Sequence, residues 1–416
     1  MPSKNFNLKK STFMSFAPIQ KIFILAGESS GDYIGSSVMM GLKEFNKNNI
    51  NFFGVGGPLM KEQGLETIYE MNEFNIIGFI NTIYNYKKLN GYINQIVDLI
   101  LKEKPNAIIT IDTKGFSLAL AKRMKKLFRI NKFKCPLIHF VPPTIWAYGK
   151  SRIKKWKNLH DGLFCLFKNE EFIFNQHQIN CIYAGNPVIE NFINLNKKKV
   201  NLKILKKKYI QNSKKYLCLL FPGSRDSEIN FILAEFIYLI KKSEKNNNEI
   251  KWIIPTTKLQ YSNIVEKISF YGLLKEVDVI ILEDNYDIMK CADVAIACSG
   301  TVTLELVLFN IPTIAVYKTH FLSALVGRIM VNFKNVLLPN FILNQNLVPF
   351  LFQEKCNYKN INKLLNEYLT ELEIKKEIFK ISSNKILTKM NYKNEKKPNF
   401  SKCSSQKIIK IINNFN

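Results

Sequence analysis

The sequence predicts an α/β chain of two doubly wound domains facing a cleft, and three observations predict it. Short apolar runs alternate with longer stretches of helical period, the pattern of parallel sheets covered by helices on both faces. A lysine-rich stretch, Asn194–Tyr209, interrupts this rhythm, which then begins again. At 416 residues, 47% of them hydrophobic, the chain is too long for one ordinary core and apolar enough for two.

Lys21–Gly27 (KIFILAG) reads as the first strand, and GDYIGSSVMMGLKEF as the helix after it. Asn51–Gly57 is a second strand and Asn106–Asp112 a third, followed by the helical FSLALAKRMKKLF. Cys135–Pro143 is a fourth, and HDGLFCLF and CIYAGNP complete a first domain over residues 1–198. In the second domain, 199–416, YLCLLFPG is a strand and SEINFILAEFIYLIKK a helix. The strands IKWIIPT, VDVIILE, ADVAIACSG and PTIAVY follow, with the helix TVTLELVLF before the last. The tail beyond about Leu364 is helical and rich in Lys and Asn.

Lys and Arg number 60 against 33 Asp and Glu, a formal charge of +27. Such a balance favours anionic partners: nucleic acid, phosphate-bearing substrates or an anionic membrane face. Heavy use of Lys, Asn and Ile, as AT-rich coding produces, accounts for the same excess. The eight cysteines form no CxxC and sit mostly in apolar runs, which reads as buried free thiols in a reducing compartment. The four histidines are scattered, so no zinc site is expected. No apolar run reaches the ~18 residues of a membrane-spanning helix. The N-terminal segment lacks the apolar core of a signal peptide; a short organelle transit segment is the other option. The reading is a cytoplasmic protein that touches a membrane without crossing it.

Ligands of open α/β sheets sit beyond the carboxyl ends of the strands, so the loops just after the apolar runs carry the informative residues. After the first strand comes AGESSGD, with Gly27, Glu28, Ser30, Gly31 and Asp32 between a strand and a helix. Backbone amides of such a turn can cradle a phosphate or a sugar hydroxyl; the bland alternative is a tight capped turn. Asp112 stands at the end of the third strand, either a general base or the cap of the next helix. VPPTIWAYGKSRIKKWK offers a stiff loop, the faces of Trp146 and Tyr148, and a basic helix. In FPGSRDSE the amides of Gly223 and Ser224 can receive phosphate oxygens, and Arg225 can pair with a diphosphate. CSGTVTLE repeats the arrangement, with Ser299, Gly300 and Thr301 opening a helix and Glu305 placed for ribose hydroxyls or as a capping acid. Asn340 and Gln353 follow as polar candidates.

Taken together, AGESSGDYIG, GVGGPLMKEQGLE, IDTKGFSL, HFVPPTIWAYGKSRIKK, YAGNPVIEN, LLFPGSRDSEI, ACSGTVTLELVL, PTIAVYK and LLPNFI…VPFLFQ resemble, in order, the lipid-A-disaccharide synthase family. The resemblance implies the GT-B architecture, two Rossmann-like domains with a cleft between. It implies an inverting transfer from UDP-2,3-diacylglucosamine to 2,3-diacylglucosamine 1-phosphate, with no metal and no cofactor. By position it implies Asp112 as base and Arg225 on the diphosphate. It also implies Glu305 on the ribose, Asn340 and Gln353 near the donor, and the Glu28–Asp32 loop on the acceptor side. It further implies a peripheral enzyme at the inner-membrane surface, a homodimer, and no role for nucleic acid. Phe74–Ile100, mixing aromatics, Ile and Lys, is the candidate membrane-facing segment. The sequence departs from the family at Lys114 and Gly115, where a proline and a second acid are usual. It departs again at Asn186, in place of a histidine, and at Phe350, in place of an acid. The rival readings are a UDP-N-acetylglucosamine 2-epimerase, which shares the architecture, the peptidoglycan N-acetylglucosaminyltransferase, and a basic nucleic-acid-binding protein. Against the last, no aromatic and basic interleaving of a recognisable module occurs.

Overall fold

The computed structural model describes residues 21–45, 50–71, 86–143, 150–197, 200–210, 214–244, 249–321, 324, 325, 328, 336–392 and 399–415. In the first half the elements are β1 (Lys21–Ala26), α1 (Ser29–Phe45), β2 (Asn51–Gly56), α2 (Pro58–Glu62), β3 (Leu65–Glu70), α3 (Tyr86–Glu103), β4 (Ala107–Ile111), α4 (Lys114–Leu127), β5 (Leu137–Phe140), the 3-10 turn Lys150–Trp156, β6 (Gly162–Cys165), α5 (Lys168–Gln176), β7 (Cys181–Tyr183) and α6 (Pro187–Lys197). The second half adds α7 (Leu202–Tyr209), β8 (Tyr216–Phe221), α8 (Asp226–Glu244), β9 (Ile250–Thr256), α9 (Tyr261–Phe270), β10 (Val277–Ile281), β11 (Val294–Cys298), α10 (Val302–Leu308), β12 (Thr313–Tyr317), α11 (Leu338–Leu343), β13 (Phe350–Phe352), α12 (Tyr358–Thr370), α13 (Leu372–Lys389) and α14 (Phe400–Phe415).

Among the described residues the first sheet has the order β3-β2-β1-β4-β5-β6-β7 and the second β10-β9-β8-β11-β12-β13. Neighbouring strands are parallel in both. Each sheet therefore starts at an inner strand, winds outward, returns and winds the other way, the two-domain α/β organisation that the sequence predicts. β4 and β11 are buried along their whole length and β1 at every residue after Lys21, because helices cover both faces. Two strands fall outside the expected set. β3 is a half-exposed edge strand and β13 is three residues long, so neither presents the apolar run that marks a buried strand.

A shared apolar core joins the halves. Val188, Ile189 and Phe192 of α6 pack with Leu304, Val307 and Leu308 of α10 and with Phe379 and Ile386 of α13. Asn186 starts α6: its Oδ1 accepts from the Val188 amide at 3.0 Å, and Pro187 takes the first helical position. The Tyr392 hydroxyl accepts from the Asn186 amide at 2.7 Å and donates to its carbonyl at 3.0 Å. Asparagine serves this capping role without a titratable ring.

Two expectations are corrected here. The tail does not stay with the second sheet: Phe400, Ile408 and Ile412 of α14 enter the core of the first, against α1. A helix with an apolar stripe must bury it, and the outer face of α1 supplies the place. The boundary at 198/199 thus separates the sheets but not all the helices. In the Phe74–Ile100 segment, α3 turns Ile93, Ile96, Val97 and Ile100 into the core, so this apolar face is not presented to a membrane. Residues 72–85, as well as Trp146 and Tyr148, lie outside the described residues.

Candidate active site

The chain reverses its winding between β1 and β4 in the first sheet and between β8 and β11 in the second. Crevices at such reversals are where open α/β sheets hold ligands. The loops after these four strands are Gly27–Glu28, Asp112–Thr113, Pro222–Arg225 and Ser299–Thr301. The structure thus gathers most of the predicted residues at two facing sheet ends.

Arg225 bridges them. Its Nη2 lies 2.6 Å from Oε2 of Glu28 in the other sheet's loop, and its Nη1 lies 3.1 Å from Oε1 of Glu228 on its own helix. Gly223 makes the turn at φ +117°, where a Cβ would also come within 2.6 Å of Glu228. Glu228, only 8% exposed, fills the concavity: its Oε2 accepts from the amides of Ser224 at 3.2 Å and Arg225 at 3.4 Å. This corrects one expectation. The Ser224 amide is not open to a phosphate here, because an acid three residues beyond the helix cap already holds it. GSRDSE carried that signal, since a Glu at the third helical position reaches back to the cap as in a capping box. Gln260 braces the turn from the β9–α9 loop, donating to Oδ1 of Asp226 at 2.9 Å.

Asp112 and Thr113 are both left-handed, at φ +50° and +38°. Consecutive non-glycine residues in that region are strained and concentrate at functional sites. The turn is tied down: the Ser117 hydroxyl donates to the Asp112 carbonyl at 3.1 Å, and the Asp112 amide donates to Phe140 at 3.0 Å. Thr113, not Asp112, is the residue at the cap of α4. The carboxylate stays 24% exposed with the Lys114 ammonium 3.4 Å away. Lys114 opens a helix, where a cation is disfavoured by the dipole, and Asp112 offsets that cost.

Glu305 lies too far into α10 to be a capping acid and takes the Tyr286 hydroxyl as donor. Burial, and then the charge of Glu283, push its pKa up to about 8. Tyr286 is a further residue that sequence reasoning missed. Across the cleft, burial raises the phenol pKa of Tyr33 on α1, with Glu305 adding to it.

Other predicted residues serve the scaffold. Asp32 accepts from the amides of Gly57, Leu59 and Met60 at 2.9–3.0 Å, so it caps α2 and is not a free acceptor-side group. Gly31 lets α1 approach the sheet, where a Cβ would lie 3.2 Å from the Cβ of Ala26. Gly27 is buried at the strand end, and Ser30 is partly exposed in the first turn of α1. Asn340 is spent on Val348, accepting from its amide and donating to its carbonyl, both at 2.9 Å. Gln353 clasps the backbone of Thr319 with both amide atoms, at 3.1 and 2.6 Å. Neither reaches the cleft as a free polar contact. The Ser299 amide is spent on Val316 at 2.9 Å, while Gly300 and Thr301 remain at least partly open.

The lipid-A-disaccharide synthetase family profile matches residues 22–406. Lipid-A-disaccharide synthase of Wigglesworthia glossinidia brevipalpis is 31% identical over 367 residues, covering 86% of this chain and 92% of that protein. The Rickettsia conorii enzyme of the same name is 30% identical over 364 residues, covering 84% of this chain and 78% of that one. Among solved structures, a UDP-GlcNAc 2-epimerase of Methanocaldococcus jannaschii in complex with UDP-GlcNAc and UDP superposes with a TM-score of 0.54. It covers 95% of this chain and 100% of that one at 14% identity, a likeness of fold alone.

Proposed function

Because the chain belongs to the lipid-A-disaccharide synthetase family, we propose that it condenses UDP-2,3-diacylglucosamine with 2,3-diacylglucosamine 1-phosphate, releasing UDP and the β(1→6) disaccharide 1-phosphate. It is a glycosyltransferase of lipid A biosynthesis with the GT-B fold. In the proposed mechanism Asp112 accepts the proton of the acceptor 6-hydroxyl. That oxygen attacks the donor's anomeric carbon from the face opposite UDP. The bond from this carbon to the diphosphate breaks, its electron pair leaves with UDP, and the configuration inverts. The Arg225 guanidinium meets the charge that grows on the leaving diphosphate, and Glu305 accepts from the ribose.

The observation that carries this reading is the Arg225–Glu28 bridge: a cation on the second sheet is aimed at the acidic loops of the first. The lipid substrates call for work at a membrane face, and we assign the chain a peripheral place on the cytoplasmic side of the inner membrane. No helix among the described residues is long and apolar enough to cross. The net charge of +27 favours an anionic leaflet. Homodimerisation belongs to the same reading. UDP release from UDP-2,3-diacylglucosamine by the purified chain in detergent, with and without the 1-phosphate acceptor, tests it. Acceptor-dependent release lost in Arg225→Ala and Asp112→Asn supports both roles. Absence of both UDP binding and turnover in the unaltered chain overturns the reading.

A further inference from the structure

The Arg225 guanidinium has two carboxylate partners, and they differ in kind. Glu228 is local and buried, and it also holds two amides of the turn. Its removal would leave those amides unpaired. Glu28 comes from the opposite sheet, 197 residues away, and its side chain is 31% exposed. Its Oε2 sits 2.6 Å from Nη2, on the guanidinium edge that Glu228 does not hold. Glu228 already fills the Ser224 and Arg225 amides, so the guanidinium is the main cationic group this turn can offer an incoming anion. A guanidinium presents its N–H groups as a flat fork. A second anion therefore needs the edge that Glu28 occupies.

We propose that Glu28 is a placeholder for the donor's diphosphate, and that it is displaced from Arg225 when the nucleotide binds. This rests on the donor reading above and gives Glu28 a positioning role. The bridge to Glu28 holds Arg225 pointed across the gap. A diphosphate carries more charge than one carboxylate and takes the same fork bidentately. The released Glu28 then stands on the loop after β1, the strand that pairs with β4, whose end carries Asp112. Nucleotide occupancy is thereby coupled to the charge presented to the acceptor.

Competition makes an unusual prediction: removing a charge from the cleft tightens ligand binding. Titration calorimetry with UDP on the full chain reads it. Glu28→Gln keeps the side chain's size and removes the competing charge, and UDP is expected to bind about three- to fivefold tighter, the upper end of the scale of a half-exposed ion pair. In an Arg225→Ala background, Glu28→Gln is expected to change UDP affinity by less than about twofold, because the shared partner is gone. A merely structural Glu28 would not raise affinity when neutralised. Unchanged or weaker UDP binding in Glu28→Gln, in a chain whose unaltered form binds UDP, overturns the placeholder and leaves the transferase reading standing. A tightening that persists in the Arg225→Ala background also overturns it. Absence of UDP binding in the unaltered chain removes both.

Discussion

The two facing sheet ends share a winding and display different side chains. Behind β8 the chain makes a glycine turn, and Arg225 emerges beside a helix start. Behind β1 and β4 it presents Glu28 and Asp112, the latter on a left-handed turn without glycine. One scaffold thus displays a guanidinium at one sheet end and carboxylates at the other. The difference is set by which side chain occupies each helix start. Behind β8, Glu228 fills the amides and the guanidinium reaches across to Glu28. Behind β4, Thr113 takes the cap position without a side-chain bond to the helix amides, and the Asp112 carboxylate stays partly exposed beside Lys114.

If that contrast is functional, its two poles should fail separately and heavily. Arg225→Ala is expected to slow UDP release roughly 100- to 1,000-fold, the cost of removing one preorganised donor to developing charge. Asp112→Asn is expected to lose a similar factor with little change in UDP affinity, as a general base should. Equal loss of UDP binding in both variants would merge the two poles into one.

Glu228→Ala sharpens the comparison at a lower cost. It leaves the Ser224 and Arg225 amides unpaired and unpins Arg225, so it is expected to cost about 1–3 kcal/mol of stability. Chemical denaturation measures this, and a variant as stable as the parent would mean the turn holds itself. Glu305 gives a pH-dependent test. Its folded pKa is raised to about 8 from 4.5, so the stability it contributes is full below about pH 4.5 and lost as pH rises through about 8. Glu305→Gln should therefore melt about 2–4 °C above the parent at pH 8 and close to it at pH 4.5. A difference of the same size at both pH values would show that the carboxyl does not titrate there. Lys114→Met carries the smallest effect. The Lys114–Asp112 pair is partly exposed, so turnover is expected to change by less than about fivefold. A larger loss would move Lys114 into the reacting centre.

Several departures from the sequence reading have one physical origin. Asp32, Asn340 and Gln353 were each polar, near a strand or helix end and in the expected order. Their side chains turn instead to backbone groups that lie 25, 8 and 34 positions away. A local pattern marks a polar group near the cleft but cannot say whether the cleft or a distant amide takes it. Asp112 escaped this fate because the cap position fell to its neighbour. Glu228 and Lys114 were legible in kind, since an acid three residues into a helix and a lysine beside an acid are local facts.

The sequence by itself determined two α/β rhythms, the turn that displays Arg225 and the order of motifs that marks the family. These depend on period, turn chemistry and neighbours within a few residues. The tertiary structure alone decided the return of Phe400–Phe415 to the first sheet and the meeting of Arg225 with a carboxylate 197 residues away. Both depend on where the chain's path brings apolar stripes and opposite charges together, and that path is set by the packing of the whole molecule.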